Sequence, residues 1–212
     1  MKNNYSKVFM WMFIGLLVTF ATGYFVSTNE NMVMSIFSGG IYWILVIAEL
    51  AVVIFLSARL HKMSITTAKI SFILYSFLTG LTFSSIFVVY EITSIMYVFL
   101  ISSIVFGVFA LIGAFTKIDL TKIGTILLML LFGIIICSII NIFLASEGFD
   151  LAITIVCLIV FMIYVAYDMQ KIKQLEDVYE EDKLAILGAL ELYLDFINIF
   201  LRLLELIGNN KD

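Results

Sequence analysis

The chain has 212 residues, 63% of them hydrophobic and 13% charged, with a mean hydropathy of +1.16. Soluble domains carry roughly a quarter charged residues, so these values exclude an ordinary soluble domain and make lipid the expected solvent. The net charge of −4 leaves no basic excess to attract nucleic acid.

Seven apolar stretches reach the length of about 20 residues that a bilayer crossing requires. In chain order they cover residues 8–26, 36–58, 65–90, 95–115, 123–145, 151–170 and 184–207. Backbone amides in hydrocarbon need internal partners, so each stretch is predicted to be a helix. Barrel strands would be half as long and would alternate in polarity. The expected fold is therefore an all-α, seven-span membrane bundle forming one domain over residues 1–212. The first stretch follows Lys2 and Lys7 but is nearly full length and lacks a convincing cleavage site, so it reads as a retained span. The chain contains no proline, and continuous helices are expected rather than the broken ones of many transporters.

The connections carry most of the charge. Lys2 and Lys7, then Arg59, Lys62 and Lys69, then Lys117 and Lys122, then Lys171, Lys173 and Lys183 all fall on one side, ten of the twelve basic residues. The loops around Glu30, Glu91 and Glu147–Asp150 contain none. By the positive-inside rule the N-terminus is cytoplasmic, and seven crossings put the C-terminus outside the cell membrane. Lys211 argues mildly against that, and a re-entrant last segment stays open as an alternative.

Smaller features add little chemistry. Ser103, Gly107, Ala110 and Ala114 follow four-three-four spacing on span 4, the pattern of close helix packing. Ser76, Thr79, Gly80, Thr82, Ser84 and Ser85 on span 3 suit either packing or a hydrated lining. Cys137 and Cys157 are read as small core residues. The single histidine, His61, excludes bis-histidine haem ligation and multi-histidine zinc sites. The acidic run Glu176, Asp177, Glu180, Glu181 and Asp182 is read as a solvated loop. No phosphate-binding loop, nucleophile elbow or resident cofactor motif is present.

Span 7 is the informative element. Glu191, Asp195, Asn198, Arg202 and Glu205 are separated by four, three, four and three residues, which stacks them on one helix face. A charge at the bilayer centre costs about 2.5–3.5 kcal/mol even on lenient scales. The stripe is therefore expected to face the bundle interior and span 7 to be central. Asp168 ends span 6 on the side where span 7 begins, so Asp168 and Asp195 are candidates to meet. Two carboxylates in low dielectric do not both ionise cheaply and form a proton-sensitive pair; they also offer the hard oxygens Ca²⁺ prefers. The plainer alternative pairs Asp168 with Lys171 or Lys173. Glu49 lies deep in span 2. Arg59, at the end of that span, is either a snorkelling positive-inside residue or a counter-charge to the aspartates.

The stretch Ala189-Leu190-Glu191-Leu192-Tyr193-Leu194-Asp195-Phe196-Ile197-Asn198-Ile199-Phe200-Leu201-Arg202-Leu203-Leu204 closely resembles the signature of the transmembrane Bax inhibitor motif family. Tyr167-Asp168, the seven-span layout and an acid in span 2 are similar as well. The resemblance implies a central seventh helix surrounded by the other six and a calcium-permeable leak regulated by pH. It also implies proton sensing by Asp168 and Asp195, a latching arginine at Arg59, and Glu49 along the conduction path. The span 2–3 region, with Arg59-Leu60-His61-Lys62, aligns only with a shift.

The reading that follows is a passive leak for Ca²⁺ and protons to act upon, not an enzyme, with Glu49, Glu191, Asn198, Arg202 and Glu205 along the ion path and lipid as the partner. A proton-coupled exchanger and a scaffold acting through protein partners are the alternatives. An intramembrane aspartyl protease would need Gly-x-Gly-Asp where this chain has Leu192-Tyr193-Leu194-Asp195, and a proline that is absent.

Overall fold

A computed structural model describes residues 4–209 and Lys211. Lys2, counted above among the basic residues, lies outside the described residues, as does the side chain of His61. The described residues form eight α-helices: α1 (Asn4–Ser27), α2 (Glu30–Phe37), α3 (Ile41–Arg59), α4 (Ile65–Val89), α5 (Ile92–Phe115), α6 (Gly124–Leu144), α7 (Glu147–Gln174) and α8 (Glu181–Ile207). All but α2 are long and apolar enough to cross a membrane.

The expected second span, 36–58, is corrected by α2. Asn29 accepts a hydrogen bond from the backbone N–H of Met32 at 3.2 Å, capping a short helix that ends at Ser38 before α3 begins. The last two spans are longer than expected, because helix geometry continues beyond the apolar stretch into charged residues. At about 1.5 Å per residue, the 27 residues of α8 extend roughly 40 Å, more than the hydrocarbon thickness of about 30 Å. Burial singles out α8, with 72% of its apolar window inside the protein, against 6% for α3 and α6.

Contacts divide the described chain into two compact units. One holds α1 to α4, residues Glu176–Tyr193 and Lys211; the other holds residues Thr93–Leu175 and Leu194–Asn209. In the first unit α1 and α4 lie close enough that a Cβ on Gly80 would meet Thr22 Cβ at 2.6 Å and the Thr19 carbonyl at 2.8 Å. Phe20 sets its ring edge-on to Phe83 and Phe87, each at 6.2 Å between centroids. Tyr193 does the same with Phe72 and Tyr75 at 5.8 and 5.9 Å.

The two ends of this unit are tied by charge and by backbone. Near the start of α1, Lys7 Nζ reaches Glu181 Oε1 at 3.0 Å and Asp182 Oδ1 at 2.9 Å, and Lys69 Nζ lies 3.7 Å from Asp182 Oδ2. Two of the five acids in the run, Glu181 and Asp182, therefore open α8 and pair with lysines instead of lying in a solvated loop. At the far end of α4, Lys211 donates its backbone N–H to Val89 O at 2.8 Å and its Nζ to Phe87 O at 2.7 Å. Those are carbonyls the helix terminus leaves without an intrahelical partner.

In the second unit α5 and α7 meet at Gly113, where a Cβ would lie 2.2 Å from the Ala166 carbonyl oxygen. The buried face of α5 is Ser94, Ile95, Val98, Ser102, Phe106, Ala110 and Gly113. The expected close-packing set is corrected accordingly: Ser103, Gly107 and Ala114 are only half-buried, and nothing lies within 4 Å of a Cβ on Gly107. Phe196 packs its ring against Phe99 and Phe106 at 5.3 and 5.7 Å. Gln170 holds the preceding loop to α7, accepting from the Leu120 N–H at 2.6 Å and donating to Ile118 O at 2.9 Å. Cys157 is buried, whereas Cys137 is half-exposed on a helix whose one fully buried residue is Leu127.

Candidate functional site

Both aspartates expected to pair are inside the protein. Asp168 on α7 is 5% exposed and Asp195 on α8 is 3% exposed, and both belong to the second unit. Burying a carboxylate in a membrane segment is tolerated only where something offsets its charge or its lost hydration. For Asp168 part of that offset is Lys171, one turn further along α7, whose Nζ stands 3.9 Å from Oδ1. Lys171 in turn sits over the Tyr167 ring, 6.0 Å from its centroid.

Tyr164 lies within electrostatic range of both Asp168 and Asp195. Sequence reading did not single Tyr164 out, although the signal was there: Tyr164, Asp168 and Lys171 follow the four-three spacing of a single helix face. Asp168 lies about 9 Å along α7 from its end at Gln174, while Asp195 is some 21 Å into α8.

The rest of the α8 stripe is graded. Glu191 and Asn198 are half-buried, and Asn198 Nδ2 donates to the Leu194 carbonyl at 2.8 Å. Further along, Arg202 Nη1 donates to Glu205 Oε2 at 2.7 Å, and Thr154 of α7 donates to the same oxygen at 3.0 Å. The distal end of the stripe is thus a hydrogen-bonded ion pair, with Cys157 beside Arg202. The opposite faces of α8 are buried too, through Leu192, Tyr193, Phe196, Ile199 and Phe200, because neighbours cover it on several sides.

In the first unit Glu49 is half-buried on α3 and accepts from Thr82 Oγ1 at 3.3 Å. Arg59 is exposed at the end of α3. Among the described residues it forms no ion pair, and Lys171 is a counter-charge to Asp168. No group of three or more His, Cys, Asp or Glu among the described residues is arranged to hold a metal. Ca²⁺ takes six to eight oxygens, so Asp168 and Asp195 would supply only part of a shell.

Seven apolar helices, with carboxylates buried on the last two, define a multi-pass membrane protein. The chain belongs to the Bax inhibitor family: the family model described as inhibitor of apoptosis-promoting Bax1 matches residues 1–212. It is 42% identical over 213 residues to the inner membrane protein YbhL of Escherichia coli, covering 97% of this chain and 91% of that one. An uncharacterized protein of Borreliella burgdorferi is 38% identical over 218 residues, covering 100% and 94%. An uncharacterized membrane protein of Streptococcus pyogenes is 34% identical over 176 residues, covering 80% and 75%.

Proposed function

We propose that this protein is a pH-sensitive, calcium-permeable leak channel of the cell membrane, gated by Asp168 and Asp195. The observation that carries the reading is the burial of both carboxylates in one compact unit. Acids held this way are costly, and such residues in membrane spans mark ion or proton paths. Two nearby carboxylates share protons as a coupled pair, and a change in their occupancy biases the packing of α7 and α8 between two states.

A partial oxygen shell suits a permeating ion better than a stored one, since conduction needs binding weak enough to release. Lys171 supplies the resting counter-charge to Asp168. Arg59, the latch implied by the family resemblance, enters as an exposed cation whose contribution the same assay measures. Asn198 extends the path, and the Arg202–Glu205 ion pair forms its outer end.

The test is Ca²⁺ flux into proteoliposomes between about pH 5 and 8, where perturbed carboxylate pairs titrate. Wild type is compared with Asp168→Asn, Asp195→Asn and Arg59→Gln. In each Asn variant the ratio of flux across that range collapses towards one. Wild-type flux and pH dependence in both Asn variants would dispose of the aspartate gate. Saturable, counter-ion-dependent transport would mark an exchanger instead.

A further inference from the structure

The far ends of α1 and α4 hold a cleft that the aspartate gate does not use. Both helices start beside Asp182, through Lys7 and Lys69, and they finish together, with the rings of Tyr24 and Phe87 5.9 Å apart. Between these finishing ends and α2 opens a cleft of about 310 Å³, all of it within the first unit. Val33 and Met34 of α2 and Phe87 and Val88 of α4 give it apolar walls, and Glu30 and Lys211 are its two charged groups. Ser27 also borders it, but its hydroxyl donates to the Tyr24 carbonyl at 2.7 Å, which commits its only proton.

The surroundings put this cleft at the depth of lipid headgroups. The helix α2 has eight residues, none of them buried, and Met32 and Met34 are exposed. A short helix with an outward apolar side, set between two spans, lies in the membrane interface. Tyr24 and Trp43 stand exposed around it, and Tyr42 packs against Phe37 and Trp43 at 5.4 and 5.7 Å. Tyr and Trp gather at that level of a bilayer. Lys211 is held there by two bonds to α4, from its backbone N–H to Val89 O at 2.8 Å and from Nζ to Phe87 O at 2.7 Å. An ammonium has three protons, so Nζ keeps its charge and two donors for a ligand. Among the described residues Glu30 and Lys211 form no ion pair, with each other or elsewhere. One charge thus comes from α2 and its opposite is fixed on α4, with open space where a bridging group can enter.

We propose that this cleft binds a zwitterionic phospholipid with a primary ammonium, of the phosphatidylethanolamine class. Its phosphate meets Lys211, its ammonium meets Glu30, and its acyl chains begin along Val33, Met34, Phe87 and Val88. The charge pattern selects this class. An anionic headgroup satisfies Lys211 and leaves Glu30 facing a like charge, the kind of repulsion that sets specificity. A quaternary ammonium has no N–H to donate to a carboxylate, and the aromatic cage that recognises such a group is reduced here to the single ring of Phe87. The apolar walls favour a lipid over a free headgroup, because only the lipid carries apolar surface to cover them. Bound this way, the lipid clips α2 to the end of α4.

Native mass spectrometry of the full-length protein tests this without measuring flux. Detergent-solubilised protein is titrated with phosphatidylethanolamine, phosphatidylcholine and phosphatidylglycerol bearing identical acyl chains. Wild type is expected to prefer phosphatidylethanolamine roughly tenfold, the worth of one charge-assisted contact. Glu30→Gln erases the preference over phosphatidylglycerol, and Glu30→Lys reverses it. Lys211→Met weakens the binding of both. Glu91→Gln, an acid outside the cleft, and Asp168→Asn behave as wild type. Selectivity is a ratio between lipids, so a variant that merely folds less well does not mimic its loss. The proposal falls if wild type binds the three lipids alike, or if Glu30→Gln keeps the preference. It falls equally if Glu30→Gln weakens all three lipids to the same degree, which would give the acid a purely structural role at the start of α2. Displacement of the lipid by free phosphoethanolamine at equal concentration would also overturn it. A failed flux assay leaves these ratios untouched, so the aspartate gate and the lipid site stand or fall separately.

Discussion

The contact between α5 and α7 gives a sharp test, because two glycines six residues apart on α5 have opposite surroundings. A methyl group on Gly113 would lie 2.2 Å from the Ala166 carbonyl oxygen and 2.7 Å from its Cα, whereas ordinary contact begins at 3.4 Å. Those are backbone atoms, with no rotamer to escape into. For Gly113→Ala the two helices must part by about 1 Å, and overpacking of this kind costs some 1–3 kcal/mol. Spans of a membrane protein remain helical when they separate, so the better helix propensity of alanine offsets little. The expected loss is about 2 kcal/mol, roughly thirtyfold in the unfolding constant. For Gly107→Ala, with nothing within 4 Å of the new methyl, the change should stay within about 0.5 kcal/mol. Reversible unfolding in mixed micelles, titrated with a denaturing detergent, measures both. Equal destabilisation by the two substitutions, or a neutral Gly113→Ala, would show that the close approach is not where the structure puts it.

Two other perturbations probe charges at the helix ends. Lys7→Glu should lower thermal stability by setting like charges against Glu181 and Asp182, and adding Asp182→Lys should recover part of the loss. The difference should shrink in high salt, since all three side chains are about two-fifths exposed; a salt-independent effect would contradict an ionic cause. Asp119, outside the spans, is held below the usual carboxylate range by hydrogen bonds from the Thr121 hydroxyl and then its backbone N–H. A depressed value contributes stability above the unfolded value of about 3.9, and that contribution is lost as pH falls through the lower folded value. Asp119→Ala should therefore speed amide exchange at Thr121 at neutral pH, with no difference from wild type once the acid is protonated. An effect that persists in acid would point to another cause.

The seven spans were legible because hydrocarbon leaves the backbone few alternatives to a helix, and the buried acids because ionisable residues in apolar runs are rare. Asp168 shows where that legibility ended. Its burial could be anticipated, but a sequence offers Lys171, Lys173 and Arg59 as counter-charges, and the ion pair with Lys171 at 3.9 Å is visible only in three dimensions. The α5 stripe failed for a related reason. Four-three-four spacing marks a face without saying whether anything packs against it, and the true contact at Gly113 lies one residue from Ala114. The helix α2 was missed because Asn29 and Glu30 resemble an ordinary polar loop, and the N-cap bond to Met32 is visible only in three dimensions.

The pairing of Lys7 with Asp182, 175 residues apart, bears on how the molecule is assembled. Thr19 is synthesised and inserted long before Tyr193, whose hydroxyl lies 2.6 Å from its own, emerges from the ribosome, so α1 must wait in the lipid with a hydroxyl lacking its eventual partner. Closure of that unit belongs to the last span delivered. A chain truncated ahead of Glu181 is then expected to insert yet stay incompletely folded and open to quality-control proteolysis, however apolar its remaining helices are.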